Sequence, residues 1–291
     1  MKTIRSISVL AITIMAMSSC HKEVPLIGPD DSNEIAFRVH DDALSAVIDT
    51  RAAEVKTGNL LSFNAMATSG TSGNETSAWT DGTFSGTSGG NFTGGKYWPS
   101  SSVSYHFYAT NATFDDFNFV NTGCTVSPRN AQTDIVVAYS ASPTYKEVNP
   151  LTFNHIFAQI GKCTVTGPSG YTVSNLAVKI SPRTSGTYNI RTSKWTSKGD
   201  AGNAVTIADA LGSNADNDLW LVPDTYTLTA TYTISKGNYS KSVNKTANVA
   251  IQQGKNNHIS ATLPVPDDIS DITFTVTVTG WSDNDITGVS F

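Results

Sequence analysis

Charged residues, cysteines and long apolar runs are all scarce in this sequence. Only 15% of its 291 residues are charged, the net charge is −5 at pH 7, and the chain has three cysteines. No basic patch is present in the sequence, so nucleic acid is not an expected partner. A membrane-spanning helix needs about 20 consecutive, mostly apolar residues, and no segment after the N-terminal one has that character. The body of the chain is therefore not expected to cross a membrane as a helix.

Sequence motifs for catalysis and metal binding are missing as well. The five histidines are scattered and lack the spacing of a zinc site. A Gly-x-Ser-x-Gly match centred on Ser88 lies in a glycine- and serine-rich run, without the preceding strand and following helix that a nucleophile elbow needs. Two Asp-Asn-Asp triplets do not continue as EF-hand loops. The sequence predicts a protein that is not an enzyme and has no cofactor and no metal site.

The N-terminal residues have the features of a lipoprotein export signal. Lys2 and Arg5 precede an apolar run from Ile7 to Met17, and two serines and Cys20 follow it. The run is too short to span a bilayer, and small residues before a cysteine mark a thiol that can be acylated. The sequence predicts a signal peptide over residues 1–19 and a lipid on Cys20. The alternative is an ordinary signal peptide cut nearby, which would leave Cys20 as a free thiol.

The segment after the signal predicts a flexible tether. Residues 20–33 combine prolines, a glycine and charges without periodicity. Two or more acyl chains anchor a protein stably, so the lipid would hold the chain on a membrane.

Export also bears on the two remaining cysteines, Cys124 and Cys163. Exported proteins reside in compartments that permit disulfides, and a bond between the two would need Cα atoms about 4.4 to 6.8 Å apart. Two separately buried thiols are the other reading.

Alternation of apolar and polar residues with a period of two dominates the rest of the chain. Thr225–Ile234 is an example, because apolar residues alternate there with threonines. This pattern is typical of half-buried β-strands. The length suffices for two cores, so we expect an all-β protein with one sandwich domain over residues 34–150 and another over 151–291.

One stretch departs from this alternation. Thr68–Gly95 is dense in Gly, Ser, Thr and Asn, and such a composition can bury little surface. We expect a long surface excursion there, in which Trp79, Phe84 and Phe92 either pin the loop to the body or make contacts with a partner.

Several stretches in this order and spacing resemble the fimbrillin family, the lipoprotein subunits and tip proteins of surface fimbriae (type V pili) in Gram-negative bacteria. Besides the signal with its cysteine, the resemblance rests on Asp49-Thr50-Arg51-Ala52, Tyr97-Trp98-Pro99, Ser104–Ala109, Asp134–Ala138, Leu151–Ile160 and Leu221-Val222-Pro223.

The resemblance implies a fold, a location and an assembly mechanism. The fold would be two tandem transthyretin-like (Greek-key) β-sandwich domains, and the protein would move from the cell outer membrane, where it is lipid-anchored, into a surface fimbrium. An arginine-specific protease would cut between Arg51 and Ala52 and release the strand Glu34–His40. A strand from another fimbrial subunit, usually C-terminal, would then fill the vacated groove.

The residues themselves support such an exchange. Ile35, Phe37 and Val39 alternate with other residues and give the first strand one apolar face. A matching apolar row near the C-terminus consists of Ile272, Phe274, Val276 and Val278. The alternative is that Arg51 is an ordinary surface residue and that the C-terminal strand completes its own domain.

The sequence thus predicts a structural or tip subunit of a fimbria that supports adhesion. A second hypothesis is a lipid-anchored surface glycan-binding protein, in which Trp79, Trp98 and Trp195 would stack on sugar rings from one exposed face.

Overall fold

The protein is all-β throughout the part of the chain that its structure, a computed structural model, describes: residues 33–39, 62–71, 73–87, 90–129, 134–213, 216–264 and 273–279. The prediction of an all-β fold is confirmed. None of these segments forms a helix of the length and apolarity that a membrane crossing requires. The strands of the described residues are β1 (Glu34–Val39), β2 (Ser62–Ser69), β3 (Thr76–Gly86), β4 (Phe92–Tyr97), β5 (His106–Thr110), β6 (Phe117–Val120), β7 (Gly123–Val126), β8 (Val136–Ser140), β9 (Val148–Leu151), β10 (Asn154–His155), β11 (Ala158–Thr166), β12 (Thr172–Ile180), β13 (Gly186–Asn189), β14 (Lys194–Lys198), β15 (Val205–Ala208), β16 (Asp216–Leu221), β17 (Thr225–Lys236), β18 (Tyr239–Ala250), β19 (Asn256–Thr262) and β20 (Thr273–Thr279).

The largest sheet has eight strands in the order β10-β8-β5-β2-β3-β4-β1-β9. Successive side chains of a strand point to opposite faces, so one face of this sheet collects every second residue. The resulting N-terminal core is rich in aromatic rings. It consists of Ile35, Phe37, Val39, Phe63, Ala65, Ala67, Phe84, Phe92, Trp98, Tyr105, Phe107, Ala109, Val136, Ala138, Leu151 and Phe153.

Two four-stranded sheets, β16-β11-β19-β20 and β15-β12-β17-β18, enclose a second core. The threonine-alternating strand β17 contributes its apolar face, and its other side chains are mostly exposed or half-buried. This C-terminal core consists of Ala158, Ile160, Cys163, Val165, Leu176, Val178, Ile180, Ile207, Ala208, Leu221, Tyr226, Leu228, Ala230, Tyr232, Ile234, Val249, Ile251, Ile259, Ala261 and Leu263.

A third core joins the two halves of the chain. The sheet β14-β13-β7-β6 combines two strands that precede Pro150 with two that follow it. Pro150 itself lies inside β9 and pairs with Arg38 of β1. The division into domains 34–150 and 151–291 stays a prediction. This junction core consists of Met66, Tyr108, Ala112, Phe117, Cys124, Val126, Ile135, Val137, Ile156, Phe157, Tyr188, Ile190 and Val222.

A buried ion pair crosses the same junction. The carboxylate of Glu75, just before β3, is fully buried and contacts the guanidinium of Arg191, which follows β13. It also accepts hydrogen bonds of 2.9 Å from Thr68 Oγ1 and from the Tyr108 hydroxyl. The Arg191 guanidinium lies over the Tyr139 ring, 5.6 Å from its centroid. A buried carboxylate is tolerated only when charge and hydrogen bonds compensate its lost hydration, and here Arg191 supplies the charge.

The expectation of a long surface excursion over Thr68–Gly95 is wrong. Most of that stretch forms β3 and β4, and both Phe84 and Phe92 belong to the N-terminal core. The stretch can fold against the core because its glycines allow aromatic rings to pack closely over the backbone. A Cβ added to Gly82 would come within 2.6 Å of the Trp79 ring, and one on Gly94 within 3.1 Å of the Phe84 ring. Composition alone does not reveal that these glycines make room for aromatic side chains.

The two cysteines of the body are separately buried free thiols, so the disulfide is not formed. Cys124 belongs to the junction core and Cys163 to the C-terminal core. Desolvation raises the pKa of both thiols, that of Cys163 to about 12. The thiols therefore remain protonated and unreactive at neutral pH.

We expect Arg191→Ala to lower the free energy of unfolding by about 3 to 5 kcal/mol, because the Glu75 carboxylate would stay buried without its cation. Arg129→Ala is the matched control. The Arg129 side chain is 80% exposed and lies 3.5 Å from Asp116, so its loss should cost less than about 1 kcal/mol. Urea denaturation of both variants tests the difference, and equal losses would contradict it.

Candidate functional site

The first strand occupies an interior position in the largest sheet. On one side β1 pairs antiparallel with β4, where Ala36 lies opposite Thr93 and Phe37 opposite Phe92. On its other side it pairs parallel with β9 over Ala36–Val39. A strand that pairs on both sides is fully integrated in its sheet, although it stands at the N-terminal end of the described chain.

The side chains of this strand fill the N-terminal core. Ile35 and Phe37 are wholly buried, and Val39 is 7% exposed. These are the residues that sequence alternation assigned to one apolar face. Full burial of an aliphatic or aromatic side chain is worth about 1.5 to 3 kcal/mol, so the three contribute about 5 to 9 kcal/mol. That amount is comparable to the whole stability of a typical domain.

Phe37 is the centre of an aromatic pocket. Its ring lies 4.8 Å from Phe84 and 4.9 Å from Phe107, both edge-on, and 5.9 Å from Phe63. Edge-to-face pairs at these distances add about 0.5 to 1.5 kcal/mol each beyond the burial of area. The three rings of the pocket come from β2, β3 and β5, so the pocket exists only when these strands have assembled into the sheet.

Polar contacts hold the ends of β1. Asn33, just before the strand, accepts a hydrogen bond of 2.6 Å from the Trp98 backbone N–H and one of 3.1 Å from the Tyr145 hydroxyl. The Glu34 carboxylate accepts from the Gly95 N–H at 3.1 Å. Near the other end, Arg38 donates to Asn91 at 3.4 Å. These contacts determine where the strand begins and hence its register.

The removal of β1 would leave a groove with two open edges. Within the described sheet β9 has β1 as its single neighbour, while β4 has β3 on its far side. The floor of the groove would be the aromatic pocket, and its walls the unpaired backbone groups of β4 and β9. An exposed strand edge with an apolar floor is a template for another strand.

The C-terminal strand lies in a different environment. β20 is the edge of the sheet β16-β11-β19-β20 and pairs on one side, antiparallel to β19. The backbone of Phe274 pairs with Ala261, and Val276 and Val278 are half-buried. Val276 packs against the C-terminal core. The candidate donor strand thus lies in its own sheet here, with one paired neighbour among the described strands where β1 has two.

Other predicted site residues lie outside the described residues. They are Cys20, Arg51, Ala52 and Ile272, together with Ser88 of the Gly-x-Ser-x-Gly match.

The three tryptophans of the glycan-binding hypothesis do not share an exposed face. Trp98 is 2% exposed and stacks on Tyr105 in the N-terminal core. Trp79 is half-buried against the same core, whereas Trp195 is half-buried against the junction core and donates from its indole N–H to the Ile156 carbonyl at 3.1 Å. The three tryptophans therefore cannot form a single exposed surface on which a glycan stacks.

Sequence reasoning missed the walls and floor of the groove. Phe63, Phe84 and Phe107 surround Phe37, and the short strand β9 forms one wall. Phe107 lies in a visibly alternating segment, so its inward direction was detectable from sequence. Its contact with Phe37 was not, because it depends on pairing between strands far apart in the chain.

The described residues define a class: an all-β protein with several sheets, in which β1 holds an interior position of the eight-stranded sheet. Residues 50–281 match the model of the fimbrillin-like family. The chain belongs to this fimbrillin-like family, as its sequence motifs predicted. It is accordingly a structural component of the cell surface and a fimbrial subunit rather than an enzyme.

One solved structure shares this fold, and others are similar to the chain at lower TM-scores. A fimbrial protein from Bacteroides vulgatus is 15% identical, with a TM-score of 0.56 over 86% of this chain and 99% of its own. A candidate cell adhesion protein from Bacteroides ovatus is 14% identical, with a TM-score of 0.49 over 87% and 99%. A fimbrial assembly protein from Parabacteroides distasonis is 12% identical, with a TM-score of 0.37 over 85% and 99%. No curated protein sequence matches the chain.

We expect Phe37→Ala to lower the free energy of unfolding of the uncut chain by about 3 to 5 kcal/mol, because it empties the aromatic pocket. Arg38→Ala, at the next position of the same strand, should cost less than about 1 kcal/mol, since it removes one long hydrogen bond at a half-buried site. Chemical denaturation of both variants measures the difference. A similar loss for both would show that the pocket does not hold β1 in place.

Proposed function

We propose that this fimbrial subunit is exported as a lipoprotein anchored through Cys20 in the cell outer membrane, is cut after Arg51, and assembles by exchange of its first strand. The observation that carries the proposal is the position of β1. It is an interior strand whose apolar side chains are buried, and its covalent link to the remaining chain runs through residues 40–61, which include Arg51.

The connection of β1 to the rest of the chain explains why a cut would matter. β1 and β2 are consecutive in sequence, yet β3 and β4 lie between them in the sheet. While residues 40–61 are intact, a β1 that opens transiently returns by an intramolecular step at an effective concentration in the millimolar range. After a cut at Arg51, return becomes bimolecular. A strand from another subunit can then compete on equal terms.

The same cut would change the attachment of the subunit. Cys20 lies on the N-terminal side of Arg51, so the lipid would leave together with β1. The remaining chain would lose its membrane anchor at the moment when its groove opens. Release and readiness for assembly would thus be one event, and an arginine-specific protease at the cell surface would control it.

The vacated groove supports polymerisation rather than reversible docking. An incoming strand would pair with both β4 and β9 and would bury an apolar row against aromatic rings. Its partner is another fimbrial subunit, because each subunit offers one groove and needs one strand. A chain of such joints has an open, head-to-tail symmetry and grows into a fibre.

The N-terminus of cell-surface material tests this proposal. We expect high-mass assemblies in which the chain begins at Ala52, measured by intact mass spectrometry. Arg51→Ala should leave acylated monomers that begin at Cys20, because the protease loses its recognition residue. Lys56→Ala is the matched control, since it removes a nearby positive charge and retains Arg51. High-mass assemblies of Arg51→Ala that still begin at Cys20 would refute the requirement for a cut at Arg51 before assembly.

A further inference from the structure

The side-chain amide of Gln159 is buried, and one of its two polar atoms makes no hydrogen bond. Gln159 lies in β11 and is 0% exposed. Its Nε2 donates to the Asp218 carboxylate at 3.2 Å, whereas its Oε1 has no hydrogen-bond partner among the described residues. Burial of a polar atom without a partner costs free energy, and native folds keep few such atoms. This oxygen therefore points to a ligand that the chain itself does not supply.

A β-bulge in β16 brings more oxygen atoms to the same place. The register of β11 with β16 shifts between Ile160 and Lys162, so that Asn217 and Asp218 both stand opposite the single residue Gly161. Asp218 has a φ of 49°, in the left-handed region that Asn and Asp tolerate better than most residues. Bulges redirect side chains, and here the Asn217 amide donates to the Gly161 carbonyl at 3.0 Å.

Strand β19 contributes an amide from the other side of β11. Asn256 pairs with Gln159 across the parallel ladder, and its amide occupies the space into which a Cβ on Gly161 would extend. Glycine at this position permits that close approach. The polar ends of four side chains, from Gln159, Asn217, Asp218 and Asn256, thus converge around Gly161, and we call this group the Gly161 cluster.

The chemistry of the Gly161 cluster fits a hard cation. Carboxylate and amide oxygens are ligands of Ca²⁺, which takes about six to eight oxygens in a flexible arrangement and accepts water among them. No group of three or more His, Cys, Asp or Glu side chains in the described part of the chain is placed to hold a metal ion. The cluster therefore lacks the nitrogen and sulfur donors that zinc prefers. One carboxylate with neutral amides is typical of weak binding, about 10⁻⁴ to 10⁻³ M as in extracellular modules.

We propose that the Gly161 cluster is a calcium site, in which Gln159 Oε1 and the Asp218 carboxylate bind the ion and the amide oxygens of Asn217 and Asn256 complete the shell together with water. Oε1 belongs to the same amide as Nε2, which lies 3.2 Å from Asp218 Oδ1. One ion therefore reaches both groups with little movement of either side chain. The site is separate from the groove of β1 and does not depend on the proposed function.

The position of the cluster indicates what the ion would do. Strand β16 is an edge of the sheet β16-β11-β19-β20, and the bulge interrupts its ladder to β11. An ion held by side chains of β11, β16 and β19 would join the three strands where that ladder is weakest. The Asp-Asn-Asp triplet at residues 216–218 does not continue as an EF-hand loop. The fold makes that continuation unnecessary, because neighbouring strands supply the other ligands.

Terbium luminescence tests the site in the full chain. Tb³⁺ takes the same oxygen ligands as Ca²⁺, and a nearby indole sensitises its emission; Trp220 pairs with Gln159 across β11 and β16. We expect sensitised emission that Ca²⁺ displaces with an affinity of about 10⁻⁴ to 10⁻³ M, and that Mg²⁺ at the same concentration displaces poorly, because Mg²⁺ demands octahedral geometry. Asp218→Asn should weaken calcium binding at least tenfold. Asp209→Asn, which removes an exposed carboxylate after β15, is the matched control and should stay within twofold of the parent.

Several outcomes would overturn the proposal. Emission that calcium does not displace would mean adventitious binding of the lanthanide only. Calcium-sensitive emission that survives in Asp218→Asn would place the ion elsewhere in the chain. Equal weakening by Asp218→Asn and Asp209→Asn would show a general effect of surface charge rather than a built site.

Thermal denaturation tests the role of the buried oxygen independently of terbium. Calcium at ten times its dissociation constant should raise the Tm of the parent and of Asp209→Asn by about 3 to 6 °C, because the ion binds the folded chain. Gln159→Leu removes the oxygen and retains most of the side-chain volume, so it should lose this shift while its melting transition shows that it is folded. A calcium shift of the parent's size in Gln159→Leu would overturn the role of Gln159, and no shift in the parent would overturn the site.

Discussion

The insertion of the first strand between β4 and β9 is the interaction on which the N-terminal half depends. It supplies hydrogen bonds to both neighbours, and it places Phe37 among rings from three other strands. Without it β9 loses its neighbour in the described sheet, and the aromatic core opens to water. The strand therefore behaves like a bound peptide ligand that happens to be covalently attached. In the proposed assembly, the site for an incoming strand would be the one that β1 fills in this fold.

The junction between the two halves explains how such a subunit could exchange a strand and remain intact. A shared four-stranded sheet, the junction core and the Glu75–Arg191 ion pair lie on the opposite face of the central strands from the N-terminal core. In β5, for example, Phe107 points to the N-terminal core and Tyr108 to the junction core. The central strands are thus supported on both faces, so the framework around the groove does not rest on β1 alone.

Much of this architecture could be predicted from the pattern of residues. Period-two alternation identified β17 and β20 as strands, and it assigned Ile35, Phe37 and Val39 to one face of β1, because side-chain direction in a strand is local. The same reasoning failed for Thr68–Gly95. There the Phe84 ring of β3 packs over Gly94 of the neighbouring strand β4, and the composition of the stretch does not encode that contact. It also left open whether Cys124 and Cys163 form a disulfide. The structure answers this, because the two cysteines lie in different cores.

The sequence by itself determined the strand-forming character of the chain, its family and the residues that face inward, because these follow from local periodicity and from motifs in order. The tertiary structure alone decided which inward residues meet. It placed β1 inside a sheet and β20 at an edge, surrounded Phe37 with three rings, and put the two cysteines in separate cores. Strand order and long-range packing depend on the summed free energy of contacts between distant segments. The sequence of any single segment does not determine that sum.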